Sequence, residues 1–168
     1  MAMKIFRFFQ KQRGFTLPEL LLTLGILTIL FSIIAISLSY VDQRTASGTK
    51  ASVITTDIKG QQIKAMTGEA GASGTLSDQG IYFEQNRYVL FRGDTYNASN
   101  TTNFSIDLAD NLEFSDISLP GGQMLFAATT GEVSNYDSIL HTVTLRNTTN
   151  GETKTITINS IGSIVSVD

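Results

Sequence analysis

The sequence predicts an α+β protein: one long N-terminal helix, packed through its second half on an antiparallel β-sheet domain. Three observations carry that expectation. No charged side chain occurs from Leu20 to Val41. Next, Ala51, Ile54, Ile58 and Met66 fall at spacings compatible with one helical face, with Lys50, Asp57 and Lys64 elsewhere. Beyond Gly68 the chain reads as short strands separated by turn residues. The expected division is a basic leader at 1–14, an apolar half-helix at 15–41, an amphipathic half-helix at 42–67 and a β domain at 68–168.

The leader carries Lys4, Arg7, Lys11 and Arg13 and no acid. The apolar run that follows is LLLTLGILTILFSIIAISLSYV. As a helix it covers about 30 Å, one hydrocarbon thickness. A secretory signal is shorter and ends in a small-x-small cleavage site. This run ends in Ser-Leu-Ser-Tyr. Pro18 suits the first turn of a helix, where its missing N–H costs little. Glu19 is the one carboxylate at the head of the run. A charge in a membrane-length segment is costly, by about 2.5 kcal/mol or more at the bilayer centre, and so marks a candidate functional residue.

The helix is expected over about 17–66, ended by Gly68 and the small residues Gly71, Ala72, Ser73 and Gly74. Ile81-Tyr82-Phe83 and Tyr88-Val89-Leu90-Phe91 flank a hairpin at Gln85-Asn86-Arg87. A polar loop covers 94–103. Strands are expected at 104–108, 112–119, 124–126, 139–146, 153–159 and 163–167. In the fourth of these Ile139, His141, Val143 and Leu145 alternate with Leu140, Thr142, Thr144 and Arg146. Pro120-Gly121-Gly122 and 147–151 are turns. The domain is expected to be two small sheets or one curved sheet of about seven or eight strands.

Composition removes several function classes. The chain has no cysteine and one histidine, His141, which excludes disulfides, thiolate zinc sites and a histidine metal cluster. Outside the leader, 8 basic residues face 15 acidic ones. That balance argues against a general nucleic-acid surface. Next to the basic leader it predicts a cytoplasmic N-terminus and an exported acidic domain. His141 lacks a serine–aspartate setting and reads as a core or boundary residue. Asp107, Asp110, Glu113 and Asp116 lack the ordered calcium-loop pattern and read as solvated acids. Arg87, Arg92, Arg146 and Lys154 would make a DNA-contact patch only if the fold gathered them. No catalytic residue, metal site or cofactor is expected, and the chain does not read as an enzyme.

Arg13-Gly14-Phe15-Thr16-Leu17-Pro18-Glu19-Leu20 resembles the processing motif of type IV pilins and type II secretion pseudopilins. Gly80-Ile81-Tyr82-Phe83, Tyr88-Val89-Leu90-Phe91-Arg92 and the segment from Thr155 to Gly162 are similar to the GspH/FimT group of minor pseudopilins and minor pilins. The resemblance implies that a prepilin peptidase removes the leader between Gly14 and Phe15. It further implies N-methylation of Phe15, and a pairing of Glu19 with the Phe15 amine of a neighbouring subunit. Physical chemistry supports the pairing independently. Cleavage creates a positive amine, the helix N–H groups add partial positive charge, and both charges are tolerated in low dielectric only when paired. A subunit docked one turn out of register would leave them unpaired. The chain lacks the mid-helix proline and the C-terminal cysteine pair of many major pilins, which agrees with a minor component.

The expected function is a structural subunit, a minor pseudopilin of a type II secretion pseudopilus. A minor type IV pilin in pilus priming, adhesion or DNA uptake is the alternative. A membrane-tethered binding domain that never polymerises is the alternative of another class. Expected partners are the prepilin peptidase, other pilin or pseudopilin subunits, the inner-membrane assembly platform and the membrane itself. Nucleic acid is the weaker partner reading. The expected location is a single pass through the cytoplasmic membrane, with the β domain periplasmic or extracellular, and then a filament.

Overall fold

The computed structural model describes residues 15–68 and 76–168, with side chains for all of these but 35–46. The leader with Gly14, and the small-residue helix stop at 71–74, lie outside the described residues. The chain divides into two compact units, Met1–Tyr40 and Val41–Asp168. Helix α1 covers Leu17–Met66, as the apolar and amphipathic patterning together predict.

Within the second unit α1 buries Ser47, Ala51, Ile54, Ile58, Gln61 and Ala65. These residues are spaced by four and three in turn, a row of about 3.5 residues per turn. Ala51, Ile54 and Ile58 are the predicted core positions. Met66 is not: it is 53% exposed, because the buried row reaches Ala65 one position earlier. The helix stops where predicted, at Gly68, whose φ of 65° suits glycine. The Thr129 N–H also caps the helix end, donating to the Ala65 carbonyl at 2.8 Å.

Among the described residues eight strands form two antiparallel sheets. The first contains β1 (Gln79–Glu84), β2 (Arg87–Arg92), β3 (Phe104–Asp107) and β5 (Gln123–Phe126), in the order β3-β2-β1-β5. The second contains β4 (Leu112–Ser118), β6 (Thr142–Asn147), β7 (Thr153–Ile158) and β8 (Ile164–Val167), in the order β4-β6-β7-β8. This is the two-sheet form of the expectation. The β1–β2 turn is Gln85-Asn86 alone; Arg87 belongs to β2, where it faces Glu84 and forms an ion pair at 2.8 Å. Gly80 leaves room for the Phe91 ring, which any side chain at 80 would strike.

The predicted strand at 139–146 is corrected at its start, for β6 begins at Thr142. The Asp137 carboxylate accepts the N–H groups of Ile139 and Leu140 at 2.7 and 3.2 Å, which turns the chain, and Ile139 is 82% exposed. The same two bonds hold the Asp137 carboxyl below its ordinary pKa.

The core unites Ile54 and Ile58 of the helix with Ile81, Phe83, Tyr88 and Phe126 of the first sheet and Phe114, Leu145 and Ile156 of the second. Polar ties fix the helix in register. Gln61 Nε2 donates to the Gly80 carbonyl at 2.9 Å, and Gln62 Nε2 donates to the carbonyls of Gly131 and Ile161 at 2.9 and 2.7 Å. The Ser47 hydroxyl donates to the Glu152 carboxylate at 3.0 Å. Tyr88 donates its hydroxyl to Asp57 at 2.5 Å, under the Lys50 ammonium, which lies 5.7 Å from the ring centre. Burial, then the bond to Asp57, pushes the Tyr88 phenol well above its ordinary pKa.

Candidate functional site at the head of the apolar helix

Phe15 and Thr16 precede the first helical residue, Leu17. The Thr16 carbonyl accepts the Leu20 N–H at 3.1 Å, the first bond of the helical ladder. Pro18, in the first turn, has no N–H to leave unpaired. Glu19 therefore sits in the first turn, where the unpaired N–H groups of a helix favour a negative charge. It is exposed and makes no hydrogen bond or ion pair among the described residues. Phe15, four residues earlier, is 76% exposed.

Below this head the helix is apolar on every side. From Leu17 to Ile34 no residue is buried within the described chain. Leu21, Leu22 and Phe31 are 61 to 67% exposed and, at the turn of an α-helix, lie on different sides of the axis. An all-round apolar helix needs lipid or other helices on every side. The hydroxyls in it are satisfied locally. Thr23, Thr28 and Ser32 donate to the carbonyls of Leu20, Leu24 and Thr28 at 2.8 to 2.9 Å. That leaves Glu19 as the single group from Leu17 to Ile34 whose charge demands a partner from outside.

The comparison with known families decides what this head is similar to. Residues 9–35 match the prokaryotic N-terminal methylation motif. That motif is found in type IV pilins and pseudopilins. It implies a pilin-like or pseudopilin subunit, processed by prepilin peptidase and assembled with other pilin subunits, in a family whose members are generally non-enzymatic. The apolar helix fits the single-pass membrane anchor typical of the motif. Comparisons of the chain with curated proteins and with solved structures gave no match.

The other candidates do not converge. Arg87 and Arg92 stand at opposite ends of β2, while Arg146 and Lys154 lie on β6 and β7 of the other sheet. Glu84 holds the Arg87 guanidinium still more firmly in its charged form. Glu113 accepts a hydrogen bond from Gln85 at 3.0 Å, and Asp116 one from Ser118 at 2.9 Å. Among the described residues no three His, Asp or Glu side chains group as metal ligands do. His141 is half-buried beside the Tyr136 ring, 6.0 Å between centres, and outside any strand. The buried row of the helix carries polar residues that sequence reasoning passed over, Gln61 above all, whose buried Oε1 has no hydrogen-bond partner among the described residues.

Proposed function

We propose that this chain is a minor pseudopilin, a structural subunit of a type II secretion pseudopilus. In this reading the peptidase cuts between Gly14 and Phe15, Phe15 becomes the N-methylated N-terminus, and Glu19 pairs with the Phe15 amine of the neighbouring subunit. The observation that carries the reading is the exposed Glu19 carboxylate in the first turn of a helix whose span Leu17–Ile34 is apolar and uncovered. Neighbouring apolar helices would cover that surface, and the pairing would set their register, because a subunit one turn out of place leaves two charges in low dielectric. The leader keeps the N-terminus cytoplasmic and the β domain lies across the membrane, under the positive-inside rule.

The assignment to the minor class rests on the strand segments that resemble the GspH/FimT group. Gly80–Phe83 falls within β1, Tyr88–Arg92 within β2 and Thr155–Ile158 within β7. Two variants test the proposal. Gly14→Val should block processing, read as a mass that retains the leader. Glu19→Ala should be processed normally yet be missing from sheared filaments. An unprocessed chain that supports secretion at the wild-type level would refute the assembly account. Restoration of secretion in a pseudopilin-deficient strain, without restoration of piliation in a pilus-deficient one, supports the secretion role over the pilus role; the reverse would overturn it.

A further inference from the structure

Among the described residues, sulfur chemistry narrows to one exposed side chain. The chain has no cysteine and four methionines. Met1 and Met3 belong to the leader, outside the described residues. Met124 lies in β5 and is 1% exposed, within the core. Met66, the last residue of α1, is 53% exposed. A buried thioether meets a dissolved oxidant only when the domain opens, whereas an exposed one meets it in the native state.

Met66 also stands where the helix end is fastened to the turn after β5. That turn, 127–132, closes on itself: the Ala127 N–H donates to the Glu132 carbonyl and the Gly131 N–H to the Ala127 carbonyl, both at 2.9 Å. It meets α1 at three points. The Thr129 N–H donates to the Ala65 carbonyl at 2.8 Å. The Gly131 carbonyl accepts Gln62 Nε2 at 2.9 Å. The third point is apolar. Cγ and Sδ of Met66 occupy the space that a Cβ on residue 131 would need, so the thioether is seated against a buried glycine. Thr129, at φ 73°, holds a conformation that a β-branched residue avoids. Such a conformation persists only while the surrounding contacts enforce it. The turn therefore depends on its hold on the helix end.

We propose that Met66 is a modification site, an oxidation-sensitive latch on the 127–132 turn, and that its reagent is a peroxide. The Met66 sulfur attacks one peroxide oxygen: an S–O bond forms and the O–O bond breaks. The proton of the transferred hydroxyl passes to the leaving hydroxide, which departs as water. The sulfur gives up two electrons and the peroxide takes them. The sulfoxide is larger, and polar where the thioether was apolar. It favours water over the Gly131 seat, so the turn loosens and the Thr129 N–H leaves the Ala65 carbonyl more often. Two thiols reverse the change through a methionine sulfoxide reductase, releasing the oxygen as water and closing to a disulfide.

The test treats the full chain in detergent micelles with hydrogen peroxide and follows each methionine by peptide mass mapping. Met66 should gain oxygen in the folded protein, while Met124 stays reduced until urea unfolds the chain. Amide hydrogen exchange at Thr129 should quicken about threefold to tenfold once Met66 is oxidised, the scale of one weakened apolar contact. Treatment with the reductase and a dithiol should return both the mass and the exchange rate. Met66→Leu keeps an apolar side chain at the seat, and its Thr129 exchange should not respond to peroxide. Oxidation of Met124 as fast as Met66 in the folded chain would overturn the proposal. So would an unchanged Thr129 rate after Met66 takes up oxygen, or a peroxide-induced rise of the same size in Met66→Leu. If leucine itself loosens the turn before any peroxide is added, the oxidation and repair cycle of the wild-type chain decides alone: recovery of the Thr129 rate on repair supports the latch, and no recovery overturns it.

Discussion

Tyr88 offers a direct test of how the second half of α1 is held on the sheets. Its ring is wholly buried in the core and its hydroxyl donates to Asp57 of the helix. Ionising it would place a phenolate in the core beside a carboxylate, so burial and the Asp57 bond both hold it protonated. In the unfolded chain the same phenol titrates near pH 10. The folded pKa is raised, so the stabilisation is fully present below about pH 10 and is lost as the pH climbs toward the folded value. Between those limits the unfolded chain gives up one proton that the folded chain keeps. The loss is about 1.4 kcal/mol per pH unit. Tyr88→Phe keeps the ring, removes the titration and gives up one charge-assisted hydrogen bond, about 1.5 kcal/mol at neutral pH. Urea unfolding of the full chain in micelles, for both proteins from pH 8 to 11, isolates the Tyr88 contribution by subtraction. The gap should be constant to about pH 9.5 and should close above pH 10, nearly vanishing about one unit higher. A gap that stays constant to pH 11 would refute the buried, Asp57-bonded phenol.

Further predictions concern the helix seat. Ile54→Ala removes a fully buried side chain at the centre of the helix face and should cost about 3 kcal/mol in urea unfolding. A cost under about 1 kcal/mol would place that face outside the core. Thr129 is the one non-glycine with positive φ among the described residues, at 73°, where a β-branched residue is strained. Thr129→Asn keeps the N–H that caps Ala65 and suits that conformation better, so it should raise stability by about 1 kcal/mol. A lowered urea midpoint would contradict this.

The helix was legible because apolar length and apolar spacing are local signals. Leu17–Met66 follows from the run after Glu19 and from Ile54 and Ile58. What the spacing hid were the polar members of the buried row. Ser47 and Gln61 look like surface residues until Glu152 and the Gly80 carbonyl, distant in sequence, come to meet them. Met66 was misplaced for a related reason: four apolar residues do not distinguish a 3.5 period from a looser one, and Ala65 is too small to announce itself. Alternation at Ile139–Leu145 suggested a strand throughout, but the Asp137 carboxylate competes for the backbone N–H groups of its first residues. The head of the helix was readable as a motif because its residues are contiguous.

The central claim is that Glu19 of one subunit neutralises the Phe15 amine of the next. Filaments assembled from equal amounts of ¹⁴N- and ¹⁵N-labelled chains can be treated with a zero-length carbodiimide, which joins a carboxylate only to an amine in contact with it. Mass spectrometry then reads which chains are joined. The account predicts an amide between Phe15 and Glu19 in mixed heavy–light pairs, absent from unassembled processed subunits. Links confined to a single isotope form, or a Phe15 amine joined to other carboxylates in place of Glu19, would contradict it.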